Sequence, residues 1–154
     1  MKKPDPLRVT QAGILAWILP GAGHWFLGHR GLAVVFFAAI SFPYLTGLAY
    51  GGVKNSINPK SNKWLFLAEM GVGGYTTAGY FVGSAISVPA GQETRYIAFF
   101  PESDIAMIYL STAGLLNVLA ILDALTRAQT GGLPVFYPEI PPAERVPAAA
   151  RRGP

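Results

Sequence analysis

The fold is decided by residues 31–50, which read GLAVVFFAAISFPYLTGLAY. This stretch contains no charged side chain, and a helix of its length rises about 30 Å, the thickness of the hydrocarbon core of a bilayer. Stretches with at most one charged residue recur at residues 64–89 and 105–122. Each of the three predicts a membrane-spanning helix.

The composition of the 154-residue chain is typical of a membrane protein. Hydrophobic residues make up 51% and charged residues 13%, whereas soluble domains carry about 25% charged residues. The mean hydropathy of +0.36 also excludes disorder of the whole chain. The chain contains no Cys, which excludes disulfide scaffolds, thiolate metal sites and Cys nucleophiles.

The first apolar segment contains the most distinctive run, LPGAGHWFLGHRG at residues 19–31. Residues 9–19 alone are too short to span a membrane, but a helix that continues through Pro20 to Leu27 would be long enough. We expect this kinked span, and a re-entrant hairpin or a cleaved signal peptide stays open as an alternative. A tight hairpin with close backbone approach is favoured by Pro20, Gly21, Gly23, His24, Gly28 and Gly31.

The Lys and Arg residues favour four spans with both termini in the cytoplasm, because short cytoplasmic loops collect these residues. Four spans place ten of the 12 on the side of the termini and leave Arg30 and Arg95 on the other side. Three spans would divide them five to seven. The basic side then faces an anionic cytoplasmic leaflet, so the sequence pI of about 9.5 requires no nucleic acid partner.

The predicted fold is therefore all-α, an integral membrane bundle of four transmembrane helices within residues 1–128. The helices are expected at about residues 9–27, 31–50, 64–89 and 105–126. Residues 129–154 are rich in proline and are predicted to form a flexible, disordered cytoplasmic tail.

Two segments carry a resemblance to known families. The run at residues 19–31, and NVLAILDALTRA at residues 117–128, resemble the small bacterial membrane proteins of the TM-two-domain type and related uncharacterised families. The resemblance implies a glycine-rich membrane hairpin and a closing helix with an acidic residue near its end. It implies no specific activity.

Two acidic residues, Glu69 and Asp123, fall inside predicted spans, where a charge is costly and marks a candidate functional site. Counting residues from the span ends places both near the cytoplasmic boundary. We therefore expect one polar cluster there, formed by Glu69, Asp123, Arg127, Arg8 and Lys63. His24 is expected near the outer face, away from both carboxylates.

A second candidate feature is a face of small residues on the third predicted span, formed by Gly79, Gly83 and Ser87. Small residues at this spacing permit close helix contact. We expect the last helix to be the neighbour, because it offers small and polar groups at helical spacing: Ala113, Gly114 and Asn117.

The sequence contains no Ser nucleophile elbow, paired-His zinc helix, P-loop or dinucleotide loop. His24 and His29 lack a third metal ligand, so we expect no catalysis, no metal and no cofactor. The sequence favours a multi-pass inner-membrane component of structural, assembly or protein-interaction type, with the bilayer and a membrane protein or a second copy as partners. The alternative is a small-solute, ion or proton transporter that uses Glu69, Asp123 and Asn117.

Overall fold

The computed structural model describes residues 5–57, 59, 63–91 and 101–131. These residues form helices and turns without a strand, which confirms the all-α class for this part of the chain. Of the predicted proline-rich tail at residues 129–154, residues 132–154 lie outside the described residues, and residues 129 and 130 still belong to the last helix. The helices are α1 (Pro6–Ile18), α2 (Ala22–Phe26), α3 (Arg30–Gly51), α4 (Val53–Ser56), α5 (Lys63–Glu69), α6 (Gly73–Ala85) and α7 (Pro101–Thr130), with a 3₁₀ turn at Met70–Val72.

Two helices are long and apolar enough to cross a membrane, Arg30–Gly51 and Glu102–Thr130. They correspond to the predicted spans at 31–50 and 105–126. They run antiparallel, because Gly47 near the end of α3 packs against Leu110 near the start of α7. At the other end of the pair, the start of α3 and the end of α7 both reach His24.

Helix α7 is the centre of the bundle. Its fully buried residues alternate at spacings of four and three, so they lie on one face of the helix: Ala106, Leu110, Ala113, Asn117, Ala120 and Ala124. Most of these side chains are single methyl groups, which lets neighbouring backbones come close. Helices α1, α3 and α5 all pack on α7.

The first apolar segment folds back on itself, so the expected single helix over residues 9–27 is wrong. Helix α1 ends because Pro20 has no N–H group and excludes the residue before it from helical geometry. Gly21 then makes the turn with a φ of +79°, a conformation that side chains disfavour. Helix α2 returns along α1 with Gly23 against the carbonyl of Ala12. We call residues 6–26 the first hairpin.

The expected helix over residues 64–89 is also broken. The rings of Phe66 and Tyr80 lie 6.4 Å apart, whereas a continuous helix would separate these residues by about 21 Å. The reversal occurs at the 3₁₀ turn, where Gly71 and Gly74 let other backbones approach and Gly73 leaves room for the indole ring of Trp17. We call residues 63–85 the second hairpin.

The two hairpins enter the bundle from opposite ends. The first begins beside the end of α7, where Gly13 contacts Leu125. The second runs in the opposite direction, from a contact between Leu65 and Ser111 early in α7. Both tips stop at the middle of α7, at Asn117. Each hairpin is therefore about half as long as α7.

Helix α6 brings the chain back to the end of the bundle at which α5 begins. Lys54, just past the end of α3, donates hydrogen bonds to the carbonyl groups of Gly83 and Ile86. The residues around Lys54 and those around Ile86 thus lie at the same end. The four-span prediction placed them on opposite sides of the membrane, because it made residues 64–89 a transmembrane helix.

Candidate functional site at the junction of the hairpins

Asn117 joins α7 to both hairpin tips. Its fully buried side-chain amide donates to the carbonyl of Ala16 over 3.0 Å and to the carbonyl of Gly71 over 2.8 Å. The Ala16 carbonyl needs a donor from outside its helix, because the residue four positions later is Pro20. A single amide therefore stabilises both helix breaks.

The two tips also touch each other directly. The indole N–H of Trp17 in the first hairpin donates to the carbonyl of Met70 in the second over 2.9 Å. Gly74 lies so close to the carbonyl of Ile18 that a Cβ atom there would collide with it. The junction is thus closed by backbone contacts as well as by side chains.

Glu69 lies at the end of α5, immediately before the second tip, and is 1% exposed. Its Oε2 atom has no hydrogen-bond partner in the described part of the chain, and neither salt bridge found there involves it. Burying a carboxyl group without a cation is costly. Glu69 is therefore the strongest candidate for a functional residue.

Hydroxyl groups connect the second tip to α3. Thr76 donates to the backbone carbonyl of Glu69 over 2.7 Å, and its Oγ1 lies 3.2 Å from the hydroxyl of Tyr44. A second pair, Ser41 and Tyr75, is joined over 2.9 Å. We call Glu69, Thr76, Tyr44 and Asn117 the junction cluster. The sequence analysis missed Thr76 and Tyr44, because an isolated hydroxyl in an apolar segment gives no signal of its partner.

A second polar group lies at the end of the bundle where the first hairpin enters. The Oδ2 atom of Asp123 accepts from Nε of Arg127 over 2.6 Å and lies 2.8 Å from Nε2 of His24. His24 is fully buried, with its ring 4.6 Å from that of Phe36. The expectation that His24 lies far from both carboxylates is wrong, because the turn at Pro20 returns His24 to the end that holds Asp123.

The five-residue polar cluster expected from the sequence is divided between these sites. Asp123 and Arg127 form the expected pair, and Arg8 and Arg127 line one cavity of about 120 Å³. Glu69 instead packs beside Gly114, which is nine residues, or about 13 Å along α7, from Asp123. Lys63 begins the second hairpin and so lies at the opposite end.

The other predicted motifs have mixed outcomes. In the hairpin motif, Pro20, Gly21 and Gly23 shape the first turn, and Gly28 makes another turn with a φ of +90°. A Cβ on Gly31 would meet no atom within 4 Å. On the small-residue face, the expected neighbour is wrong: Gly79 and Gly83 pack on the α4 region at Ile57 and Lys54, and Ser87 is exposed beyond the end of α6.

In the part of the chain that the structure describes, no three His, Asp or Glu side chains come together as a metal site. The oxygen atoms at the junction belong instead to one carboxyl group, one amide and two hydroxyl groups. Such a set can accept and donate hydrogen bonds.

A family model described as a family of unknown function (DUF6677) matches residues 11–132, a stretch that contains the second hairpin, both long helices and all but the first five residues of the first hairpin. The chain belongs to the DUF6677 family. This agrees with the expected resemblance to an uncharacterised family, and the more specific TM-two-domain type stays a prediction. No curated protein and no solved structure matches the chain.

Proposed function

We propose that the chain is a small integral membrane protein in which α3 and α7 span the bilayer. The two hairpins enter it from opposite sides and meet near its centre. Large apolar side chains on the surface support this, since Phe42, Trp64 and Phe81 are 73%, 80% and 67% exposed. Apolar surface of this extent is stable against lipid, and broken helices at membrane depth require burial of their backbone, as Asn117 and Trp17 provide here.

The distribution of basic residues supports cytoplasmic termini in this arrangement as well. With two spans, chain order assigns eight Lys and Arg residues to the side of the termini: Lys2, Lys3, Arg8, Arg30, Arg127, Arg145, Arg151 and Arg152. Four belong to the other side: Lys54, Lys60, Lys63 and Arg95. The excess is smaller than in the four-span prediction but has the same sign.

For the activity, we propose that the junction cluster passes protons or a small monovalent cation between the two sides. The observation that carries this is the carboxyl group of Glu69, buried at a helix break near the centre of the proposed membrane, with one oxygen that has no hydrogen-bond partner among the described residues. Intramembrane acids of this kind mark ion and proton pathways. Discontinuous helices that meet at mid-membrane are also the common construction of transporter sites.

The neighbouring groups suit such a pathway. Oδ1 of Asn117 is a second buried oxygen without a partner in the described residues. Oxygen atoms are the ligands that hard cations prefer, and the hydroxyl groups of Thr76 and Tyr44 can each donate and accept a proton. Each hairpin closes the junction from one end, so a small displacement of either would open Glu69 to that end.

Flux measurement in liposomes tests this proposal. The purified protein is reconstituted in vesicles that contain a pH-sensitive dye and, in parallel, in vesicles that contain a Na⁺-sensitive dye, and a potassium diffusion potential drives the ions. We expect flux above that of empty vesicles, and we expect Glu69→Gln to abolish it because the amide cannot carry the proton or the charge. Glu102→Gln is the matched control, since Glu102 is exposed in the first turn of α7. Equal flux in the two variants would contradict the role of Glu69.

A structural or assembly role without catalysis, as expected from the sequence, is the second candidate. It is favoured by the direct backbone contacts between the tips at Gly74 and Ile18 and between α7 and the second tip at Gly71 and Gly114. Contacts of this kind suit a rigid scaffold. This role predicts that vesicles with the folded wild-type protein conduct no more than empty ones.

A further inference from the structure

A groove lies between the first hairpin and α3, away from the junction cluster. Its cavity has a volume of about 580 Å³. Apart from the turn at Leu19, Pro20 and Gly21, it is lined by apolar side chains of α1, α2 and α3, including Leu15, Trp25, Val34 and Phe37. Val34 and Phe37 are 58% and 45% exposed, so the groove opens to the outside of the bundle.

On α3 the groove is lined from Ala33 to Phe37, about 6 Å along the helix axis. The turn at Gly21 closes one side of it by packing against the carbonyl of Ala33. At its outer limit lies Trp25, and the guanidinium group of Arg30 sits 5.5 Å from the centre of that indole ring. The groove therefore combines an apolar interior with a cation, Arg30, at the end of the bundle where α3 begins.

We propose that this groove binds one acyl chain of an anionic phospholipid, with the lipid phosphate paired to Arg30. The proposal rests on the membrane embedding proposed above and is independent of ion passage. Phe37, the deepest α3 residue of the groove, lies seven residues or about 10 Å along the helix from Arg30, so the groove is shallower than one leaflet. A groove this short suits one acyl chain of a lipid better than a partner helix that spans the bilayer. Arg30 and the ring of Trp25 suit the headgroup level.

Native mass spectrometry of the protein released from detergent tests this proposal, with phosphatidylglycerol and phosphatidylcholine as the added lipids. We expect one retained lipid per protein and about fivefold tighter binding of phosphatidylglycerol. Val34→Trp fills the groove and should weaken binding of both lipids about tenfold. Val35→Trp is the matched control, because Val35 is 60% exposed on the same helix but does not line the groove.

The charge is tested separately. Arg30→Gln should remove the preference for phosphatidylglycerol while phosphatidylcholine still binds, and Arg8→Gln, at the same end of the bundle, should leave the preference intact. Equal lipid retention in Val34→Trp and Val35→Trp would overturn the proposal, as would a retained second copy of the chain in place of lipid. Carbonate extraction of membranes tests separately whether the protein is embedded. A protein that is not embedded can therefore be distinguished from an embedded protein whose groove binds no lipid.

Discussion

At the scale of single residues, Asn117 has the largest structural role. Its amide connects three separate parts of the chain by donating to Ala16 and Gly71. The Ala16 carbonyl lacks a helical donor because Pro20 stands four residues later, and the Gly71 carbonyl lies in the 3₁₀ turn of the second tip. The amide of Asn117 therefore joins both hairpin tips to α7 at the junction that holds Glu69.

Replacing Asn117 by Leu keeps the number and branching of the side-chain heavy atoms but leaves both carbonyl groups without their donor. We expect the variant to lose about 1–3 kcal/mol of stability in total. Thermal denaturation in mild detergent measures this loss. Val118→Leu, on the exposed face of the same helix, should change the melting temperature little, and an equal effect of the two substitutions would show that the amide does not hold the junction.

At the scale of elements, the close contacts of the hairpins depend on glycine. A Cβ on Gly114 of α7 would collide with the carbonyl of Ala68 in α5. We expect Gly114→Ala to force these backbones apart and to cost about 1–3 kcal/mol, as overpacking does. Gly31→Ala is the control, because its methyl group meets nothing within 4 Å and alanine favours a helix. If Gly114→Ala melts no lower than Gly31→Ala in detergent, α5 does not pack on α7 as described.

The elements also show how far the sequence could predict this fold. The long helices could be predicted from local composition, because residues 31–50 and 105–122 are uninterrupted stretches without a charged residue. The hairpins could not be told from kinked spans in the same way, since hydropathy over 20 residues is the same whether the chain crosses or reverses. Pro20 and Gly21 are compatible with both. The carbonyl groups that Asn117 binds to close the hairpins lie 46 and 101 residues away from it along the chain, too far for a local sequence pattern to indicate.

The candidate site was predictable to the same extent. The pair of Asp123 and Arg127 is local to one helix at a spacing of four, and it was predicted correctly. The sequence marks Glu69 as an acid inside an apolar segment but predicts the wrong neighbours for it, because its depth is counted along a helix that in fact ends at Glu69. The contact of His24 with Asp123 spans 99 residues and depends on the first turn.

At the scale of the whole molecule, two antiparallel helices hold two half-length hairpins that meet at Asn117. This arrangement places the start and the end of the second hairpin at the same end of the bundle. Lys63, at its start, and Ala90, after its end, are both exposed. Arg8 and Gln129 are exposed at the other end, at the start of α1 and the end of α7.

Single-Cys labelling tests this arrangement most directly, because the chain has no native Cys. A membrane-impermeant thiol reagent is added to intact bacterial cells that express Lys63→Cys, Ala90→Cys, Arg8→Cys or Gln129→Cys, and again after permeabilisation. We expect Cys at positions 63 and 90 to react in intact cells, and Cys at positions 8 and 129 to react only after permeabilisation. Reaction of position 90 without position 63 in intact cells would mean that residues 64–89 cross the membrane, which would contradict the opposed hairpins.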